Sequence, residues 1–166
     1  MRLTLAAVGA VIAALLQLTI VPYLRIGNAQ PELVLVFAVV ATTAGSVEAG
    51  LISAFIGGLM IDALAPRPLG LTAFVLVLSV GVTAVLGRVL DRLRYLVPVI
   101  AVFITSLLGS ALYVVLFGAL REPITITDPI QAVLPTALYS TAVAAVVGPV
   151  AVAIRQRGTE RERVAW

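Results

Sequence analysis

Long apolar runs separated by short polar connections make up most of the chain. The first run, Leu3 to Leu24, has only Thr4, Gln17 and Thr19 as polar interruptions. At 1.5 Å per residue it reaches about 33 Å, enough to cross a hydrocarbon core of roughly 30 Å. The segment after Met1-Arg2 imitates a signal peptide. Its apolar stretch outruns the usual length of about 7–15 residues and further spans follow at once, so it reads as a retained span.

Pro31-Glu32 opens the second run. Proline has no N–H to leave unsatisfied in a first helical turn, and an acid is favourable at the positive helix end. Leu33 to Ala44 is followed by Gly45-Ser46-Val47-Glu48-Ala49-Gly50, read as a tight turn, and a third run extends from Leu51 to Ala65. Together, Leu33 to Ala65 would make about 50 Å of helix, too long for one span and slightly short for two. Two short helices is the preferred reading; a re-entrant hairpin shielded by the other helices is the minor one. The fourth run is Leu69 to Gly87 and the fifth Tyr95 to Leu120, with Pro98 in its first turn. The sixth, Ala132 to Ile154, contains Pro135 and Pro149, which predict kinks near its ends.

The expectation is therefore an all-α integral membrane bundle of six transmembrane helices, spanning about 3–24, 31–45, 49–65, 69–87, 95–120 and 132–154. Residues 1–166 would form one domain, ending in a charged cytoplasmic tail, 155–166. Arginine distribution orients it. With both termini in the cytoplasm, Arg2, Arg88, Arg92, Arg94, Arg155, Arg157, Arg161 and Arg163 lie inside, against Arg25, Arg67 and Arg121 outside, eight to three. Such a bias is the positive-inside signature of a multi-pass membrane protein. A five-helix arrangement with the N-terminus outside scores the same eight to three, and length decides for six, since five would make the segment of about 50 Å one span.

Composition removes most chemistry. The 166 residues are 61% hydrophobic and 11% charged, where soluble domains run about 25% charged. There is no Cys and no His, and all eleven basic residues are Arg. Thiolate nucleophiles, histidine bases, P-loop lysines and Schiff bases are absent, and Arg is a poor general base. The chain is expected not to be an enzyme and to need no cofactor or metal. Its net charge of +3 reads as topology and attraction to the lipid bilayer rather than nucleic-acid binding.

Three features remain. Asp62 is an ionisable group inside a span, a functional candidate by default. The blander reading is an interfacial carboxylate that reaches water or pairs with Arg25 or Arg67. Small residues at helical spacing, such as Ser53-x-x-x-Gly57 and Ser106-x-x-x-Ser110, let helix backbones approach closely. They fit packing within the bundle or a groove for a partner's transmembrane helix. Arg88, Arg92 and Arg94 form a basic turn that suits anionic lipid or, alternatively, a cytoplasmic protein contact. Gln17, Thr42, Thr43, Thr72, Thr83 and Thr105 are expected to bond back to their own helices.

Pro31-Glu32-Leu33-Val34-Leu35-Val36, the Gly-rich run Gly50 to Asp62, and Leu69-Gly70-Leu71-Thr72-Ala73 resemble, in order and spacing, the motifs of the MreD family of rod-shape membrane proteins. Glu32 stands where Asp is at least as usual, and the loop around Glu48 lacks the Arg often seen there. The resemblance implies a non-catalytic scaffold of cell-wall elongation that binds MreC and helps connect MreB to RodA and its penicillin-binding transpeptidase. It also implies a fold similar to the S components of energy-coupling-factor vitamin transporters. Pro31, Glu32, Gly57, Asp62 and Gly70 are the motif positions expected to shape the unit from the second to the fourth helix. The alternative is an S-type subunit that captures a vitamin-like ligand, with Glu32, Asp62, Tyr113 and Tyr139 as sparse outward polar groups.

Overall fold

The computed structural model describes residues 2–24, 30–65, 69–89, 96–120 and 129–164; side-chain surroundings are described for these except residues 2, 113–114, 116–120, 129–133 and 154–164. Six α-helices account for it: α1 (Arg2–Thr19), α2 (Leu33–Val40), α3 (Val47–Leu64), α4 (Leu71–Val89), α5 (Val97–Leu120) and α6 (Pro129–Val164). No strand occurs among the described residues, so the all-helical, six-helix expectation holds.

Side-chain size is sorted inside out relative to a soluble protein. The interior holds small groups, among them Ala10, Ala14, Ala38, Ala54, Ala101, Ala137 and Ala144, all with 0% exposure. Leu5, Phe55, Phe74, Leu138 and Val150 are each more than half exposed. Lipid solvates large aliphatic groups as well as a core does, so helix association depends on close backbone approach and dispersion. Val47–Leu64, Leu71–Val89 and Leu134–Ala153 are long and apolar enough to cross a membrane. Leu3–Thr19, Leu33–Gly45 and Val97–Leu112 are shorter apolar helical segments.

α2 is the hub. Val34, Leu35, Val36, Ala38 and Val39 are buried on all sides of an eight-residue helix, and it packs against α1, α3, α4, α5 and α6. Gly57 of α3 lies beside both Val34 and Ala10, and a methyl on it would come within 2.5 Å of a Val34 methyl. Ser53 reaches the Ala6 carbonyl of α1 at 3.3 Å. Matching Ser53 with Ala6 and Gly57 with Ala10 makes α1 and α3 parallel, with α2 antiparallel between them. Ser53-x-x-x-Gly57 is thus occupied by packing inside the bundle.

Element boundaries depart from the sequence reading where backbone chemistry outweighs hydropathy. The first run leaves the α-helix at Thr19 and continues as a 3-10 turn, Val21–Leu24. Pro22 explains this, because it offers no N–H and pushes its predecessor away from α geometry. The predicted turn of residues 45–50 shrinks to one extended residue. α2 continues as a π-helical turn, Ala41–Gly45, and Ser46 (φ −144°, ψ 160°) caps α3 by accepting from the Ala49 N–H at 3.2 Å. Gly50 lies within α3 against Thr42. α6 runs unbroken through Pro135 and Pro149 and continues to Val164 rather than stopping near 154. Its last turns are rich in Arg and Glu, good helix formers.

Candidate functional site

Two helix starts in the bundle are capped by side chains from other helices. A helix N-terminus leaves backbone N–H groups without intrahelical partners, which is costly in an apolar setting. α4 receives its acceptor from α3: the Asp62 carboxylate takes the Thr72 N–H at 3.0 and 3.2 Å and the Ala73 N–H at 3.3 Å. Asp62 is 2% exposed. It therefore does not reach water as the blander reading expected, and Arg25 and Arg67, its other suggested partners, lie outside the described residues. Gly58, one turn before Asp62, permits the approach, since a methyl there would sit 2.7 Å from the Ala73 nitrogen. Gly70 turns the chain into α4 at φ +90°, a conformation that residues with a Cβ avoid.

The start of α2 draws on three helices. Gln17 of α1 accepts the Val34 N–H at 2.9 Å. Ser140 of α6 accepts the Glu32 N–H at 3.0 Å. Ser106 of α5 donates to the Glu32 carboxylate at 3.4 Å. Ser106 and Ser140 have 0% exposure, while Gln17 and Glu32 are half-buried. Gln17 thus departs from the expectation that it bonds back to its own helix. Thr42, Thr43, Thr83 and Thr105 do bond to carbonyls of their own helices. The Thr72 hydroxyl has no partner.

Between α4 and α5 lies a groove of about 300 Å³ lined by Val75, Leu78, Ser79, Val82, Thr105, Leu108, Gly109, Ala111, Leu112 and Val115. Its two hydroxyl residues already donate to Val75 and Ala101 carbonyls. What remains for an occupant is hydrocarbon. No group of three or more His, Cys, Asp or Glu among the described residues is placed to hold a metal ion.

Compared with known protein families, residues 1–156 match the rod shape-determining protein MreD. The chain belongs to the MreD family. MreD proteins act in rod shape determination within the cell-shape machinery, and this chain is accordingly a membrane protein with a role in that process. No curated protein and no solved structure matches it.

In this MreD chain the motif positions separate into two places. Pro31 (buried) and Glu32 stand at the start of α2, while Gly58, Asp62 and Gly70 organise the α3–α4 turn. Gly57 faces α1 and α2. Arg88 is exposed at the end of α4; Arg92 and Arg94 lie outside the described residues. Tyr139 is half-buried, and the surroundings of the Tyr113 side chain are outside those described. Ser140 is the residue that sequence reasoning passed over, and Gln17 was read only as bonding back to its own helix. Each is a polar side chain inside an apolar run, but hydropathy does not reveal that both turn toward α2.

Proposed function

We propose that this MreD-family protein is a non-catalytic scaffold of the elongation machinery in the bacterial inner membrane, and that it binds an MreC-type protein through its membrane-embedded helices. Through that contact it would help link MreB filaments to RodA and the penicillin-binding transpeptidase. The observation that carries the reading is the apolar groove between α4 and α5. It is concave, its hydroxyls are already bonded, and it offers an exposed small residue, Ala111, where a second helix could come close. Close contact between small residues is how helices associate in lipid, where burial from water contributes nothing.

Co-expression with the MreC-type partner, followed by extraction in mild detergent, tests it. The two proteins should co-purify, and Ala111→Phe, which fills the groove from an exposed position, should reduce recovery of the partner about tenfold, corresponding to about 1.4 kcal/mol. Recovery of the scaffold alone from cells containing the partner would count heavily against the proposal. The S-type alternative would be favoured instead by a rise in melting temperature with one member of a vitamin panel.

A further inference from the structure

α6 outlasts the apolar run that carries it through the membrane. Gly148 lies beside Pro98 in the first turn of α5, and α6 continues to Val164, about 24 Å past that level. Its apolar run ends at Ile154. The backbone then stays helical through Arg155-Gln156-Arg157-Gly158-Thr159-Glu160-Arg161-Glu162-Arg163, a stretch with no large apolar residue. A helix without an apolar face has nothing to bury in the interface plane, so this one leads away from the bilayer.

Helical register sorts the four arginines onto two sides. On the bundle side of α6, Ala144 and Gly148 are buried and Val152 is 7% exposed. Arg155 follows Gly148 by seven residues and Arg163 follows Val152 by eleven, both close to whole turns. On the opposite side Val146 and Val150 are 70% and 55% exposed, as suits lipid. Arg157 and Arg161 follow Val150 by seven and eleven residues, so they continue the lipid-facing stripe. They stand four residues apart, a like-charge pair that destabilises an isolated helix, and Arg161 has no acid three or four positions away on either side. By helix rise they lie about 4.5 and 10.5 Å beyond Ile154, where the headgroup layer is roughly 5–8 Å deep. Phosphate is the anion abundant at that height and on that side.

We infer that Arg157 and Arg161 form a site for the phosphate of an anionic phospholipid, on the outward side of α6 where it leaves the hydrocarbon. An anion between two arginines replaces their repulsion with charge-assisted contacts. Arg155 and Arg163, on the bundle side, are not part of it. The inference goes beyond the scaffold proposal and is independent of the α4–α5 groove, so either can fail without the other.

The test uses the full-length protein in nanodiscs of equal parts phosphatidylglycerol and phosphatidylcholine. After release into mild detergent, retained lipid is counted by native mass spectrometry. The wild-type chain should retain phosphatidylglycerol preferentially. Arg157→Gln combined with Arg161→Gln should lower that preference by about fivefold for each arginine removed. Arg155→Gln combined with Arg163→Gln takes the same charge from the other side and should leave the preference unchanged. Equal loss in both double variants would mean diffuse attraction to a basic segment and would overturn the site. A wild-type chain without preference would do the same. So would a preference that survives in the Arg157 and Arg161 variant, which would leave that face to a protein contact.

Discussion

Asp62 illustrates how one side chain holds a turn together. Its carboxylate accepts two backbone N–H groups of α4 while 2% exposed, so truncation leaves buried donors unsatisfied. Asp62→Ala should lower stability by about 1–3 kcal/mol, read from thermal or denaturant unfolding in detergent. Asp62→Asn, which keeps one acceptor oxygen, should fall between Ala and wild type. Equal melting of all three would show that the cap contributes nothing. Gly70 lies in the same turn but acts differently. A methyl there meets nothing within 4 Å, so only its φ of +90° is at stake. Gly70→Ala should cost about 1–2 kcal/mol by the same measurement, the penalty of placing a Cβ in left-handed geometry. Both residues stood out in the sequence, Asp62 as a charge in an apolar run and Gly70 as a position of the family-like motif Leu69 to Ala73. The acceptor role of Asp62 was not legible, because hydropathy says that a residue lies in a span but not which neighbouring backbone it meets. The same limit hid Gln17, whose nearest polar options in sequence are its own carbonyls and whose observed donor is Val34 of α2.

At the scale of helices, glycines with the same intrinsic propensity separate by what they touch. Gly58 lets α3 meet the backbone of Ala73 in α4, and an added methyl would sit 2.7 Å from a backbone nitrogen. Gly81 in α4 has nothing within 4 Å. Gly58→Ala should therefore force α3 and α4 apart and cost about 1–3 kcal/mol, the usual range for overpacking. Gly81→Ala should be neutral or stabilising by up to about 1 kcal/mol, since Ala is the better helix former. Melting temperatures in one detergent compare them directly, and a Gly81 variant that melts no higher than the Gly58 variant would contradict the packing account. The number of helices was legible because apolar runs and polar breaks recur at membrane length. Their ends were less so. Gly45 and Gly50 suggested a loop, yet a capping serine at position 46 suffices to separate α2 from α3, and the π-helical turn keeps Gly45 within the helical path. The charged stretch after Ile154 was read as a tail because hydropathy falls there, although helical backbone continues to Val164.

For the molecule as a whole, helix direction constrains the topology and charge predicts its orientation. α2 runs antiparallel to α1, as the pairs Gly9 with Phe37 and Gln17 with Val34 require, and to α3, as Gly50 with Thr42 and Gly57 with Val34 require. Gly58 against Ala73 with Asp62 against Thr72 makes α4 antiparallel to α3. Pro98 against Gly148, with Ser106 and Ser140 both tied to Glu32, makes α5 and α6 antiparallel. If α5 in turn runs antiparallel to α4, the start of α1 and the end of α6 come to the same side, as the sequence reading expects. In the sequence reading that side receives Arg2, Arg88, Arg92, Arg94 and the four Arg after Ile154, against Arg25, Arg67 and Arg121 opposite. Positive charge retained in the cytoplasm therefore predicts that a green fluorescent protein fused to either end fluoresces, and that alkaline phosphatase at either end stays inactive. Replacing Arg88, Arg92 and Arg94 with Ala leaves, in the predicted topology, five inside Arg against three outside. With the bias weakened at a central connection, part of the population should insert with α4 and α5 misoriented, detected as phosphatase activity of a fusion placed after Val89. Phosphatase activity at the wild-type C-terminus would reverse the orientation outright, and it would move the connection between α5 and α6 to the cytoplasmic face.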